Sequence, residues 1–236
     1  TSKNTYCVVL NGCYVERQAR EIVRHIEFVV GIDCQLSHDI TIAFLNEFYY
    51  QIGVGVPIKR AYDAACNRIR RRGMDKSSLP ILLNRKQEEE RRALEKELLK
   101  VEKKIEETPK NADLRTEKGD LLEKSGEHER AASAYEKSLH IDGKDYKVWW
   151  KQGRAFLRAE KYDQAQKPYQ NALSLHPDTQ DEYVISREYG LVLSLLEKHG
   201  HSIALHKKSL WLNPRYRAAS YERKKVYKKI YSDGKQ

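Results

Sequence analysis

A period runs through the last half of this chain. Gly119, Ala131 and Tyr135 recur 34 residues later as Gly153, Ala165 and Tyr169. Gly190 stands 37 residues beyond Gly153, and Pro214 stands at the same offset from Pro177. A repeat this short cannot bury a core alone, so its units must stack on one another. Each unit reads as two helices, the first with Gly at its middle and the second with Ala, an aromatic and Ala. Small residues let the paired helices approach, and the aromatics fill the space between units. The third copy has Ser202, His206 and Ser209 at those places. The three extra residues of the longer offset are expected in a loop over 178–182. Residues 216–231 are expected to form the polar capping helix such arrays need.

This pattern resembles the tetratricopeptide repeat (TPR), with Trp149, Gly153, Ala165, Tyr169, Ala172 and Pro177 as its cleanest unit. The resemblance implies an all-α TPR solenoid over residues 110–236, about three repeats and a cap, that recognises protein. In such arrays the first helix of each unit lines a concave groove, and the resemblance places Lys147, Lys151, Arg154 and Arg158 there. Their spacing of 4, 3 and 4 independently puts all four on one helix face. Four cations on one face repel unless an anion lies against them. Trp150 beside them offers a flat apolar surface. The expected partner is an acidic peptide segment; the competing reading is an ordinary solvated face.

Residues 1–85 alternate strand and helix. The runs Tyr6–Leu10, Phe28–Ile32 and Leu79–Leu83 have the length and continuity of strands buried on both faces of a parallel sheet. Helical spacing links Ala19, Ile22, Val23 and Ile26, then Ile40, Ala43, Phe44, Phe48 and Ile52, then Ile58, Ala61, Ala65 and Ile69. The order is β-α-β-α-α-β, read as a partial α/β domain of three parallel strands with helices. Its first strand reads as central, so a neighbour is expected on its far side, from a removed segment or another polypeptide. Residues 86–109 form a charged linker helix with an apolar stripe at Leu94, Leu98, Val101 and Ile105.

Cys13 and Gly12 follow the first strand and precede a helix, where open α/β sheets place reactive groups. A thiol near a helix N-terminus has its thiolate stabilised. The wider string resembles the CHAT family of caspase-like, TPR-associated cysteine peptidases. It runs Val9-Leu-Asn-Gly-Cys-Tyr, Gln18-Ala19, His25-Ile-Glu-Phe-Val-Val-Gly-Ile32, Ile42-Ala-Phe44, Phe48-Tyr49, Gly53-Val-Gly55, Ile58-Lys-Arg-Ala-Tyr62 and Leu79-Pro-Ile-Leu-Leu83. The resemblance covers nearly all of residues 1–85 and implies the C-terminal part of a caspase-like domain, with Cys13 as nucleophile and Gly12 beside it. Val15 and His38 depart from the family pattern, which usually has Ser and an acidic residue there. The partner His of such sites lies upstream, and no His precedes Cys13. The general base would come from an N-terminal part or another chain, and this chain alone is expected to be inactive. The alternative is a non-catalytic TPR scaffold carrying a degenerate caspase-like half. His25 is placed in the helix after Cys13, His38 in a loop beyond the second strand, and His199-Gly-His201 in an inter-helix turn. No metal or cofactor is expected.

The net charge of +10 raises nucleic acid as a partner. The excess concentrates in residues 215–236, with eight basic and two acidic side chains and no RNA-binding motif beside them. It is read as a solvated helix. No apolar run is long enough for a membrane span. The four cysteines form no Cys-x-x-Cys pair, which suits a reducing, cytoplasmic setting.

Overall fold

A computed structural model describes residues 7–12, 15–33, 35–73, 79–214 and 224. The chain divides into two units, Thr1–Ala93 and Leu94–Gln236. Cys13 and the expected capping helix at 216–231 lie outside the described residues, as does the basic segment 215–236 apart from Lys224.

In the first unit, β1 (Cys7–Gly12) leads to α1 (Val15–Ile22), β2 (Phe28–Asp33), α2 (His38–Gly53), α3 (Ile58–Arg70) and β3 (Ile81–Asn84). The element order matches the sequence reading, but the sheet does not. β1 and β2 are parallel, whereas β3 runs antiparallel to β2 with Phe28 opposite Asn84. One crossover helix would return the chain to the starting end for a parallel strand. Two successive helices, α2 and α3, leave it at the opposite end, so β3 runs back. The strand order is β1-β2-β3, which makes β2 central and places β1 at an edge among the described residues.

Burial follows from that order. Val30 and Ile32 of β2 pack with Phe44 and Phe48 of α2 and with Ala61 and Ala65 of α3. On the other face Val29 meets Ala19 of α1 and Val23. Gly31 lies between them because a Cβ there would come within 2.6 Å of Val15 Cγ1 and 2.8 Å of Ile81 Cγ1. β1 alternates likewise but is only half-buried. The next helix, α4, spans Arg85–Glu107. Its Glu88 is 4% exposed and receives Arg20 at 2.9 Å, Arg91 at 2.6 Å and Arg92 at 3.2 Å. Bonds from Arg91 first, then Arg92, with charge from Arg91 and Arg20, hold its carboxyl down at about 2.

Among its described residues the second unit holds the C-terminal part of α4 and three helical hairpins: α5 (Ala112–Lys124) with α6 (His128–Leu139), α7 (Tyr146–Arg158) with α8 (Tyr162–Ser174), and α9 (Thr179–Leu195) with α10 (His199–Leu212). Each first helix opens on a side-chain cap. Asn111 accepts from the Leu114 N–H, Asp145 from Lys147 and Asp178 from Asp181. Each hairpin turns at a left-handed residue, Gly126, Glu160 or Glu197. The extra residues of the third copy extend α9 rather than a loop. Asp178 caps it directly, and it reaches 17 residues against 13 for α7. His199 and His201 belong to the first turn of α10, not to the preceding turn. Leu98 of α4 packs against the core formed by Leu122, Ala131, Tyr135 and Val148.

The aromatics of the period, expected in the space between units, pack against the glycine of their own hairpin in all three copies. A Cβ on Gly119 would lie 2.4 Å from the Tyr135 ring, one on Gly153 would lie 3.0 Å from Tyr169, and one on Gly190 would lie 2.8 Å from His206. The serines of the third copy are tied to backbone. Ser202 donates to the Gly190 carbonyl at 2.7 Å and Ser209 to the Tyr183 carbonyl at 2.8 Å. Ser138, at the place of Ser209 in the first hairpin, donates to the Ala112 carbonyl at 2.9 Å.

Candidate functional site

The first helices α5, α7 and α9 bring one face of each together, and the charged stripe lies on the middle one. Asp145 caps α7, so Lys147, Trp150, Lys151, Arg154 and Arg158 ride on a helix fixed from its first turn. Lys151 Nζ meets Asp120 Oδ2 of α5 at 2.7 Å, and Arg158 meets Glu123 Oε2 at 2.5 Å. Trp150 donates its indole N–H to Glu188 of α9 at 2.7 Å. Arg154 lies over the Trp150 ring, its Cζ 5.6 Å from the centroid. Lys147 sits beside the Tyr146 ring at 5.8 Å.

The expected repulsion within the stripe is thus relieved inside the molecule at two of four cations. Asp120 and Glu123 were not anticipated, nor was Glu188. A signal existed for Asp120 and Glu188 but not for Glu123, whose equivalent one repeat on is Leu157. Glu188 stands 37 residues after Lys151 and Asp120 stands 34 before Arg154, the repeat offsets themselves. Equivalent positions carry opposite charge in neighbouring units, so adjacent first helices attract. Neither Lys147 nor Arg154 has an ion pair among the described residues.

Two buried tyrosines brace this face from behind. Tyr135 donates to Asp120 at 2.8 Å and Tyr169 to Glu188 at 3.3 Å. Burial first, then the acceptor carboxylate, pushes both phenols well above their ordinary range. Both remain protonated donors that fix the orientation of Asp120 and Glu188. Charge from Arg154 opposes the rise at both phenols.

The sheet unit offers less to a chemist. Gly12 ends β1 at φ +155° with open space where a Cβ would be, so its backbone conformation is what asks for glycine. Burial pushes the Cys7 thiol up, and it does the same to Cys66 under α2. Both suit core positions and not nucleophiles. His25 is exposed in the turn after α1 rather than within the helix, and His38 is the exposed first residue of α2. Among the described residues no group of His, Cys, Asp and Glu could hold a metal. No described helix is long and apolar enough to cross a membrane.

The profile of the tetratricopeptide repeat family matches residues 91–146 and 151–193. The chain carries tetratricopeptide repeats. Solved structures agree at the level of fold. A crystal structure of MamA shares 16% identity at a TM-score of 0.55, covering 66% of this chain and 85% of that one. A second MamA structure shares 14% at 0.51, covering 81% and 83%. A structure of pilF from Pseudomonas aeruginosa shares 21% at 0.50, covering 61% and 64%. No curated protein matches the sequence. The TPR profile begins inside α4, and the sheet residues lie outside it.

Proposed function

We propose that this chain is a non-catalytic scaffold whose TPR array binds an acidic peptide segment along α5, α7 and α9. The observation that carries the reading is Arg154. It is held over Trp150 between two neutralised pairs, with no ion pair of its own among the described residues. A carboxylate laid against it gains a charge-assisted bond, and the indole face takes the apolar part of the same residue. Lys147, about two turns toward the N-terminus of α7, provides the second contact. Attraction of this kind speeds association and weakens as salt rises. The acidic residues beside the stripe set a limit as well: Asp120 and Glu123 repel a uniformly acidic chain, so the occupant needs spaced carboxylates rather than a polyanionic run.

The test is calorimetry of short Glu-containing peptides against the wild type and the Lys147→Glu, Arg154→Glu double variant. The expected result is a loss of affinity of tenfold or more in the variant, with helicity unchanged by circular dichroism. Equal affinity removes the groove from the account.

The sheet unit supports a second reading, that of a partial caspase-like domain completed by a further strand. What favours it is β1: Cys7 to Leu10 are apolar, half-buried and unpaired on their outer edge among the described residues, with no charge or proline to protect that edge. On this reading Cys13, in the completed assembly, is alkylated by iodoacetamide faster than Cys7 or Cys66. Slow, equal labelling leaves the scaffold alone.

A further inference from the structure

A pocket of 160 Å³ opens among α4, α5 and α6, lined in part by Ile105 and Leu122. Four cations surround it: Arg115 and Lys118 from α5, Arg130 and Lys137 from α6. It is separate from the peptide groove. Arg115, Lys118 and Leu122 recur at 3 and 4 residues along one face of α5, while Asp120 and Glu123 point to the groove from another.

The charges here are not balanced internally. Lys118 meets Glu102 at 2.6 Å and Arg130 pairs with Glu127. Arg115 donates one Nη to the Pro109 carbonyl at 2.7 Å, and its Nε is buried without a hydrogen-bond partner. Lys137 has no ion pair among the described residues. Four positive groups thus face two carboxylates, an excess of two around a small cleft with an apolar floor. Buried donors without acceptors are costly, and like charges gathered around one cleft repel. A dianion relieves both.

We propose that this pocket binds a small molecule that carries a phosphate on a compact apolar body. The phosphate takes the rim, where a guanidinium offers paired donors and lysine a mobile point charge. The apolar body rests on Ile105 and Leu122. The volume suits a single ring or short acyl group and excludes a dinucleotide.

The experiment titrates the full chain with phenyl phosphate by calorimetry, beside inorganic phosphate alone. Saturable binding is expected, tighter for phenyl phosphate because only it reaches the apolar floor. Arg130→Glu and Lys137→Glu, both exposed and so tolerated by the fold, are each expected to weaken it about tenfold. Arg154→Glu, in the groove, is expected to leave it unchanged, so this proposal and the groove reading fail separately. Absence of saturation overturns the proposal, as does equal binding by either pocket variant or an equal loss in Arg154→Glu. Tighter binding of a phosphotyrosine peptide than of phenyl phosphate also overturns it, by replacing the small molecule with a protein partner.

Discussion

In the sheet unit, α1 is anchored by Arg20 reaching Glu88, a residue 68 positions further along the chain. In the repeat unit, the Gly119–Tyr135 contact spans 16 positions and returns as Gly153–Tyr169 and Gly190–His206. The first anchor is used once, is long-range and is ionic. The second is short-range and repeated, and depends on size. The two units therefore fail in different ways. Loss of Glu88 leaves three arginines around a hole, whereas loss of one repeat contact leaves its neighbours intact, since an array's stability is close to a sum over units and interfaces. The units can also be watched separately. Trp149, Trp150 and Trp211 all lie in the repeat unit, and buried Cys66 reports on the sheet unit by alkylation.

Glu88→Ala should produce the largest effect. Removing one partner of a buried ionic cluster leaves uncompensated charge, at a cost of about 3–5 kcal/mol. Alkylation of Cys66, followed by mass spectrometry, should accelerate strongly while tryptophan fluorescence at the same denaturant concentration is unchanged. A parallel shift in both probes would show that the two units unfold together, and the contrast between them would fall.

Acid should reach the same anchor more gently. The Glu88 carboxyl titrates at about 2 in the folded chain against 4.5 for the free group. A depressed folded value means that the unfolded chain takes up the proton first as pH falls. The stabilisation is therefore complete above about 4.5 and is lost on descending toward 2. Screening by the partly exposed arginines brings it to about 2 kcal/mol. Cys66 protection against a dipyridyl disulfide, a reagent that still reacts with thiols in acid, should fall between pH 5 and 2, and Glu88→Gln, already without the charge, should show a flatter profile. A profile as steep in Glu88→Gln as in the wild type would assign the acid sensitivity to other carboxylates.

These two anchors also differ in how far they could be read from residues alone. That each aromatic meets the glycine of its own hairpin was not stated by the spacing, but the glycines and aromatics themselves were legible because the period repeats them. So was α4 as a helix packed by Leu98, since Leu94, Leu98, Val101 and Ile105 keep helical spacing. The direction of β3 was not. Ile81 to Leu83 is apolar whichever way the strand runs, and the direction depends on the path of α2 and α3. Glu88 looked like one more charge in a charged helix, because nothing local marks the three arginines that converge on it. At the groove, the cations were legible from spacing, Asp120 and Glu188 required comparing charge across repeat positions, and Glu123, equivalent to Leu157, carried no such mark.

Within the repeat unit, the clearance at each glycine predicts a graded response. Alanine gains about 1 kcal/mol over glycine in a helix interior, but overpacking costs about 1–3 kcal/mol. At Gly119 the new Cβ would meet the Tyr135 ring at 2.4 Å, and at Gly153 it would meet Tyr169 at 3.0 Å. Gly119→Ala should therefore lose about 1–2 kcal/mol by tryptophan-monitored denaturation, and Gly153→Ala should be close to neutral. A reversed order would mean that Tyr135 yields more easily than Tyr169, although its hydroxyl is held by Asp120 at the shorter distance of 2.8 Å.

The smallest effect concerns the hairpin turns, where the copies differ in chemistry at one conformation. Gly126, Glu160 and Glu197 share a positive φ of 84°, 58° and 61°. Glycine adopts that region freely, whereas a side chain there costs on the order of 1 kcal/mol. Glu160→Gly should relieve that strain. It also gives the unfolded chain more freedom to lose, which offsets part of the gain. Glu160 is exposed and shows no ion pair among the described residues, so little else changes. The net expectation is a gain of about 0.5 kcal/mol in tryptophan-monitored unfolding, with the alkylation rate of Cys66 unaltered. A loss of similar size would show that the Glu160 side chain makes a contact in solution worth more than the strain. The first hairpin's glycine would then reflect a different local demand, and the equivalence of the three turns would end at backbone geometry.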